Sequence, residues 1–176
     1  KVYTTALFAM SSSNIDSGAN NKLDTKAFAL EILNQMQRNH VPATAVTYVA
    51  IFKILQGRPS DVLQMVRFLE KRELKLPKAE RIVWDPEVYH AAIYACGSRM
   101  DRSQQTNRNN RNPPQNRSDK DWQMPLSLMQ HMQRNGIQPT SQTYLVVLDV
   151  LVQNQGKIPI IKSIVNQWRK AREIGR

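Results

Sequence analysis

LEILNQMQRNHVPATAVTY, Leu30–Tyr48, returns in altered form as LSLMQHMQRNGIQPTSQTY, Leu126–Tyr144. Leu30 and Leu126, Met36 and Met132, the Gln-Arg-Asn after each methionine, and Thr47-Tyr48 and Thr143-Tyr144 all fall into register at one offset of 96 residues. Self-similarity at a fixed offset marks a repeat array, in which one supersecondary unit is copied along the chain and neighbouring copies bury each other.

Working outward from the two copies, four tyrosines occupy equivalent places: Tyr3, Tyr48, Tyr89 and Tyr144. Each opens an apolar series at i, i+3, i+4, i+7, for example Tyr48/Ile51/Phe52/Leu55 and Tyr144/Val147/Leu148/Leu151. That spacing places all four residues on one side of an α-helix. A second series follows each of these: Ala29/Ile32/Leu33/Met36, Val62/Met65/Val66/Leu69, Pro125/Leu128/Met129/Met132 and Ile161/Ile164/Val165/Trp168. Eight segments on one template predict an all-α chain. No single amphipathic helix can hide its own stripe, so the helices are expected to pair as antiparallel hairpins and stack.

The punctuation agrees. Asp24, Ser60, Asp85 and Asp121 are candidate N-caps, because a short side-chain oxygen can take an orphan helix N–H. Pro86 and Pro159 suit a first helical turn, where a missing N–H costs nothing. Gly57, Gly136 and Gly156 mark turns. The tyrosines are spaced by 45, 41 and 55 residues, and the excess falls in insertions. Ser11–Leu23 parts the first pair, Arg72–Trp84 follows the second, and Arg102–Asp121 interrupts the third with a Gln/Asn/Arg-rich run that reads as solvated or disordered. Four units are expected, near 1–44, 45–85, 86–140 and 141–176, in one domain spanning 1–176.

Composition limits the function. The 176 residues suffice to bury a core, and no apolar run approaches the roughly 18 residues of a membrane span. Cys96 is the only cysteine, which rules out an internal disulfide and a zinc site built on cysteines. A net charge of +11 favours an anionic partner, RNA or an acidic protein surface. A chain opening on Lys1 reads as processed or trimmed, which makes the absence of a targeting segment uninformative.

Helix pairs that begin at Thr-Tyr and close on Met-x-x-x-Gly-Ile-x-Pro resemble pentatricopeptide repeats. Thr47-Tyr48, Thr143-Tyr144, Met132–Pro139 (MQRNGIQP) and Met36–Pro42 (MQRNHVP) carry the resemblance, while Val88-Tyr89 and Val2-Tyr3 match it less closely. The tetratricopeptide signature W-x₂-L-G-x₂-Y is absent. The resemblance implies a right-handed α-solenoid in an organelle, the mitochondrion ahead of the chloroplast. It also implies single-stranded RNA as ligand, with each unit reading about one base through two or three side chains. The base-reading pairs it implies are Thr4 with Thr44, Val49 with Asp85, and His90 with Thr140; Leu145 would open a fourth.

The residues themselves argue against base reading as the whole function. Val49 and Leu145 lack side-chain donors and acceptors. The stripe beside the tyrosines is expected to line the groove: Thr4/Phe8/Ser11, Val49/Lys53/Gln56, His90/Tyr94/Gly97 and Leu145/Asp149/Val152. It holds one lysine and one aspartate, little to attract phosphate. The cations gather in second helices, their ends and the insertions. Arg169, Lys170 and Arg172 near the C-terminus and Arg102, Arg108, Arg111 and Arg117 in the long insertion are the candidates for contact with an RNA backbone or an acidic partner.

No catalytic arrangement emerges. His40 and His131 are expected near helix ends and exposed, and His90 stands alone with no i, i+4 partner for a metal. Cys96 takes the core slot filled elsewhere by Met10, Leu55 and Leu151, so an inert buried thiol is expected. No enzyme, cofactor, metal, small-molecule substrate or membrane span is expected. The leading expectation is a structural subunit of an organellar ribonucleoprotein, such as a mitochondrial ribosome, touching RNA backbone and neighbouring proteins. Two alternatives stand beside it: a sequence-specific factor for organellar transcripts, and a protein-only scaffold in a respiratory or photosynthetic complex.

Overall fold

The computed structural model of the chain describes residues 2–13, 25–76, 84–97, 121–153 and 156–174. They form eight α-helices: α1 Val2–Ser13, α2 Thr25–Arg38, α3 Ala45–Ile54, α4 Pro59–Lys75, α5 Pro86–Gly97, α6 Met124–Arg134, α7 Ser141–Gln153 and α8 Ile158–Ile174. A 3-10 turn at Asp121–Gln123 leads into α6, and no strand occurs among the described residues. The chain is all-α. Each of the four predicted spans holds two helices.

Helix starts follow from side chains that satisfy the orphan N–H groups. Thr44 Oγ1 accepts the N–H of Thr47, and Thr47 Oγ1 accepts the N–H of Thr44. Thr140 and Thr143 repeat this reciprocal bonding 96 residues on, at the start of α7. Asp85 caps α5 as the sequence implied, its Oδ1 taking the Val88 N–H at 2.9 Å. Trp84 precedes that cap and packs on Tyr89, with ring centroids 5.1 Å apart, as a hydrophobic staple does. Ser60 does not cap α4: the helix begins at Pro59, Arg58 precedes it without a side-chain bond, and a proline at the first position needs no acceptor for its nitrogen. Asp24 lies outside the described residues, and α6 begins after Gln123, which makes no side-chain cap.

Packing follows the stripes. The first helices α1, α3, α5 and α7 lie against one another in chain order; α2 packs on α1 and α3, α4 on α5, α6 on α5 and α7, and α8 on α7. Tyr48 and Tyr89 are fully buried and Tyr144 nearly so, while Tyr3, on the first helix of the series, is half-buried. Cys96, Leu55 and Leu151 are buried in equivalent slots. Of the stripe expected to line a groove, Lys53, Gln56, Tyr94, Leu145, Asp149 and Val152 are exposed, Thr4, Phe8, Val49 and His90 are half-buried, the Ser11 side chain lies outside the described residues, and Gly97 is buried. A methyl group there would lie 2.4 Å from Val150 Cγ2, so α5 and α7 approach too closely for any side chain.

The duplicated Gln-Arg-Asn has a structural reason. Asn39, just past α2, donates through Nδ2 to the hydroxyl of Tyr3, the tyrosine that opens the same predicted span. Its counterpart Asn135 donates to Tyr89 OH at 2.8 Å. The turn after each asparagine requires left-handed backbone: Gly136 has φ 76°, and His40, at the equivalent position, has φ 53°. Glycine adopts that conformation freely, whereas histidine does so at a cost.

Candidate functional surface

The residues implied as base readers fall into two groups. Thr44, Thr140 and Asp85 are the helix caps just described, and their side-chain oxygens hold backbone N–H groups at the starts of α3, α7 and α5. Thr4 is half-buried on α1. His90 is not alone: its Nε2 bonds Thr143 Oγ1 at 2.8 Å, across the α5–α7 contact. Because Thr143 also bonds Thr140, the structure brings His90 and Thr140 together through one buried hydroxyl. Burial holds the His90 imidazole below the ordinary histidine range, against the upward pull of the Glu87 and Asp85 carboxylates.

The first helices expose several large apolar side chains. Val2, Val46, Tyr94, Leu145 and Val152 are exposed on these helices. Between α3, α5 and α7 lies a cavity of about 250 Å³, lined by Phe52, Lys53, Gln56, His90, Tyr94 and Val146 among others. Lys53 is the only Lys or Arg in the four first helices, and its ammonium sits 5.1 Å from the Phe8 ring centroid. Glu87 and Asp149 are the acids of those helices. A surface of this kind offers packing area and stacking rings, with little charge for phosphate.

A second polar chain joins the second helices. His131 Nε2 pairs with Glu70 of α4, its Nδ1 lies 3.0 Å from Tyr89 OH, and Asn135 donates to that hydroxyl. His131, expected exposed, is half-buried at this junction because Glu70 of α4 and Tyr89 of α5 supply its partners. A carboxylate, an imidazole and a hydroxyl in line resemble a nucleophile relay. Tyr89 is fully buried, however, and burial is the main cause pushing its hydroxyl up to about 12, the opposite of an activated nucleophile. Tyr48 behaves alike: its hydroxyl bonds the buried Glu73, and desolvation followed by that carboxylate raises its pKa well above the ordinary tyrosine value. These are hydrogen-bonded struts. Among the described residues no three His, Cys, Asp or Glu gather as metal ligands, and no helix is long and apolar enough to cross a membrane.

Positive charge lies mainly on the second helices. The second helices α2, α4, α6 and α8 contain eleven Lys or Arg and five Asp or Glu. Arg67, Lys71 and Lys75 fall four residues apart and are exposed along one edge of α4. Arg169, Lys170 and Arg172 are exposed near the end of α8, where cations also favour the helix dipole, and Arg172 lies 5.7 Å from the Trp168 ring. Arg102, Arg108, Arg111 and Arg117 lie outside the described residues, as does the 102–121 insertion apart from Asp121.

Sequence reasoning missed Trp84, which it left in a connection and which is buried against Tyr48, Phe52 and Tyr89. The signal was present: a tryptophan directly before Asp-Pro is placed to staple a helix start. No protein-family model matches this chain, and none of the curated proteins or solved structures compared with it matches either.

Proposed function

We propose that this chain is a non-enzymatic, pentatricopeptide-type subunit of an organellar ribonucleoprotein, the mitochondrion being preferred to the chloroplast. Its hairpins would stack as a right-handed solenoid. The second-helix layer would meet RNA backbone, and the first-helix face would pack on neighbouring proteins. The carrying observation is the segregation of charge: the first helices hold one lysine and two acids, and the second helices hold eleven cations and five acids. Backbone contact needs cations without base-reading groups. The capping roles of Thr44, Thr140 and Asp85 further favour backbone over base recognition.

Binding to a hairpin RNA and to unstructured strands of several sequences, followed from 50 to 200 mM salt, tests this. Affinity should be indifferent to sequence and fall steeply with salt. Glutamine at Arg67, Lys71 and Lys75 together, or at Arg169, Lys170 and Arg172 together, should weaken binding and flatten the slope of log K against log salt by about 2, since each phosphate contact contributes about 0.7–0.9. Threonine at Val49 or Leu145 should change nothing. A preferred motif of three or four bases would replace this reading with sequence-specific recognition. Indifference to both triple replacements would remove RNA from it.

A further inference from the structure

The asparagine of the doubled MQRN passage ties helices together; its arginine does not. Among the described residues Arg134 makes no side-chain hydrogen bond or ion pair, and Arg38 meets Glu31 at 3.9 Å with both partners exposed. A contact of that kind contributes little. The same position recurs in every second helix. Met36, Leu69, Met132 and Trp168 close the four apolar stripes, and two residues on stand Arg38, Lys71, Arg134 and Lys170, each exposed. Lys71 and Lys170 are also unpaired among the described residues.

Helix electrostatics does not account for all four. The pull of the dipole on a cation falls off within the last turn. Arg38 and Arg134 end α2 and α6, but four residues follow Lys71 in α4 and Lys170 in α8. What they share is a place on the molecule. Two positions past the end of a stripe is about 200° round the helix, away from the core. The next residue fixes that angle in three of the four helices: Asn39 bonds Tyr3, Asn135 bonds Tyr89, and Arg72 lies beside the Tyr48 hydroxyl. Lys26 of α2 meets Asp61 of α4 at 3.9 Å, and Glu70 of α4 meets His131 of α6. Both contacts join nearly matched levels of the stripe, so Arg38, Lys71 and Arg134 fall in one line across adjacent helices. Packed on α7, α8 carries Lys170 in the same register.

We propose that Arg38, Lys71, Arg134 and Lys170 form a cation row for the phosphate backbone of one RNA strand laid across the second helices, with one contact to each helix pair. Helices packed side by side lie about 8–10 Å apart, so the row outreaches any single phosphate or carboxylate and takes a polyanion. The proposal rests on the RNA reading above. It adds Arg38 and Arg134, on the two second helices with fewest cations, to the residues that reading names.

Anisotropy of a labelled hairpin RNA with the whole chain, from about 50 to 200 mM salt, tests it. Arg38→Gln and Arg134→Gln should each flatten the slope of log K against log salt by about 0.7–0.9, and glutamine at all four positions by about 3. Lysine at Arg38 and Arg134 should keep the parent slope. Lys53→Gln and Lys162→Gln, at exposed cations off the row, should leave it unchanged. Row variants should melt with the parent, since they remove no buried contact. If Arg38→Gln and Arg134→Gln leave the slope unmoved while the α4 and α8 triple replacements flatten it, the row is overturned and the RNA reading stands. Off-row variants that flatten it equally also overturn the row, because charge would then act without position. A parent that binds no RNA at the lowest salt removes the reading and the row together.

Discussion

Replacing Gly97 by alanine tests the close approach of α5 and α7. The added methyl would meet Val150 Cγ2 at 2.4 Å, Cγ1 at 2.8 Å and Cβ at 2.9 Å, and Val150 is itself fully buried. Three sub-contact distances to a branched side chain with no room to turn belong at the upper end of the overpacking range, about 3 kcal/mol. Alanine in a helix returns about 1 kcal/mol relative to glycine. The net loss is therefore about 2 kcal/mol, a fall in melting temperature of roughly 4–8 °C for a chain of this size. Thermal and urea unfolding followed by circular dichroism would read it. Val150→Ala alone should also destabilise, by about 2 kcal/mol through lost methyl burial and the space left behind. The double variant should be about 1–3 kcal/mol more stable than additivity allows, because the space is then filled. A Gly97→Ala chain as stable as the parent, or more stable, would mean that helix propensity decides the outcome and that α5 and α7 are not held this close.

Three further outcomes are expected. Thr44→Ala and Thr140→Ala should each cost about 1 kcal/mol by chemical denaturation and add when combined, since the two caps serve different helices. His40→Gly should stabilise by about 0.5–1 kcal/mol, by relieving the left-handed backbone that Gly136 already occupies without strain. Because the folded state lowers the His90 pKa, the unfolded chain takes up the proton first as pH falls. The stability this residue contributes is full above about pH 6.5 and declines below it, which urea titrations from pH 7.5 to 5 on the parent and on His90→Gln would show as a shallower pH dependence in the variant.

How much of this was legible in the sequence depends on how far apart the interacting residues lie. Tyr48, Tyr89 and Cys96 are buried where the i, i+3, i+4 spacing put them, because a helix stripe is a local property. The doubled MQRN passage was read as a repeat marker, but its asparagine bonds a tyrosine 36 or 46 residues earlier, which no local pattern reveals. His131 and His90 were misjudged for the same reason, since Glu70, Tyr89 and Thr143 come from other helices. Gly97 looked like a groove position by periodicity; only the approach of α7 shows why it lacks a side chain. Thr44 and Thr140 were read through a family pattern, when the Thr-x-x-Thr spacing before each apolar run already offered a reciprocal cap.

The asparagine–tyrosine bonds bear on how such a chain can lengthen. Tyr3 and Asn39 bracket residues 14–24, and Tyr89 and Asn135 bracket residues 98–120, the two longest connections between paired helices. With the far ends of each pair tied directly, the connection has no geometric work to do. Each doubling of its length then costs only about 0.6 kcal/mol of closure entropy. A lineage could thus graft new polar sequence at these two points while the helical framework stays unchanged.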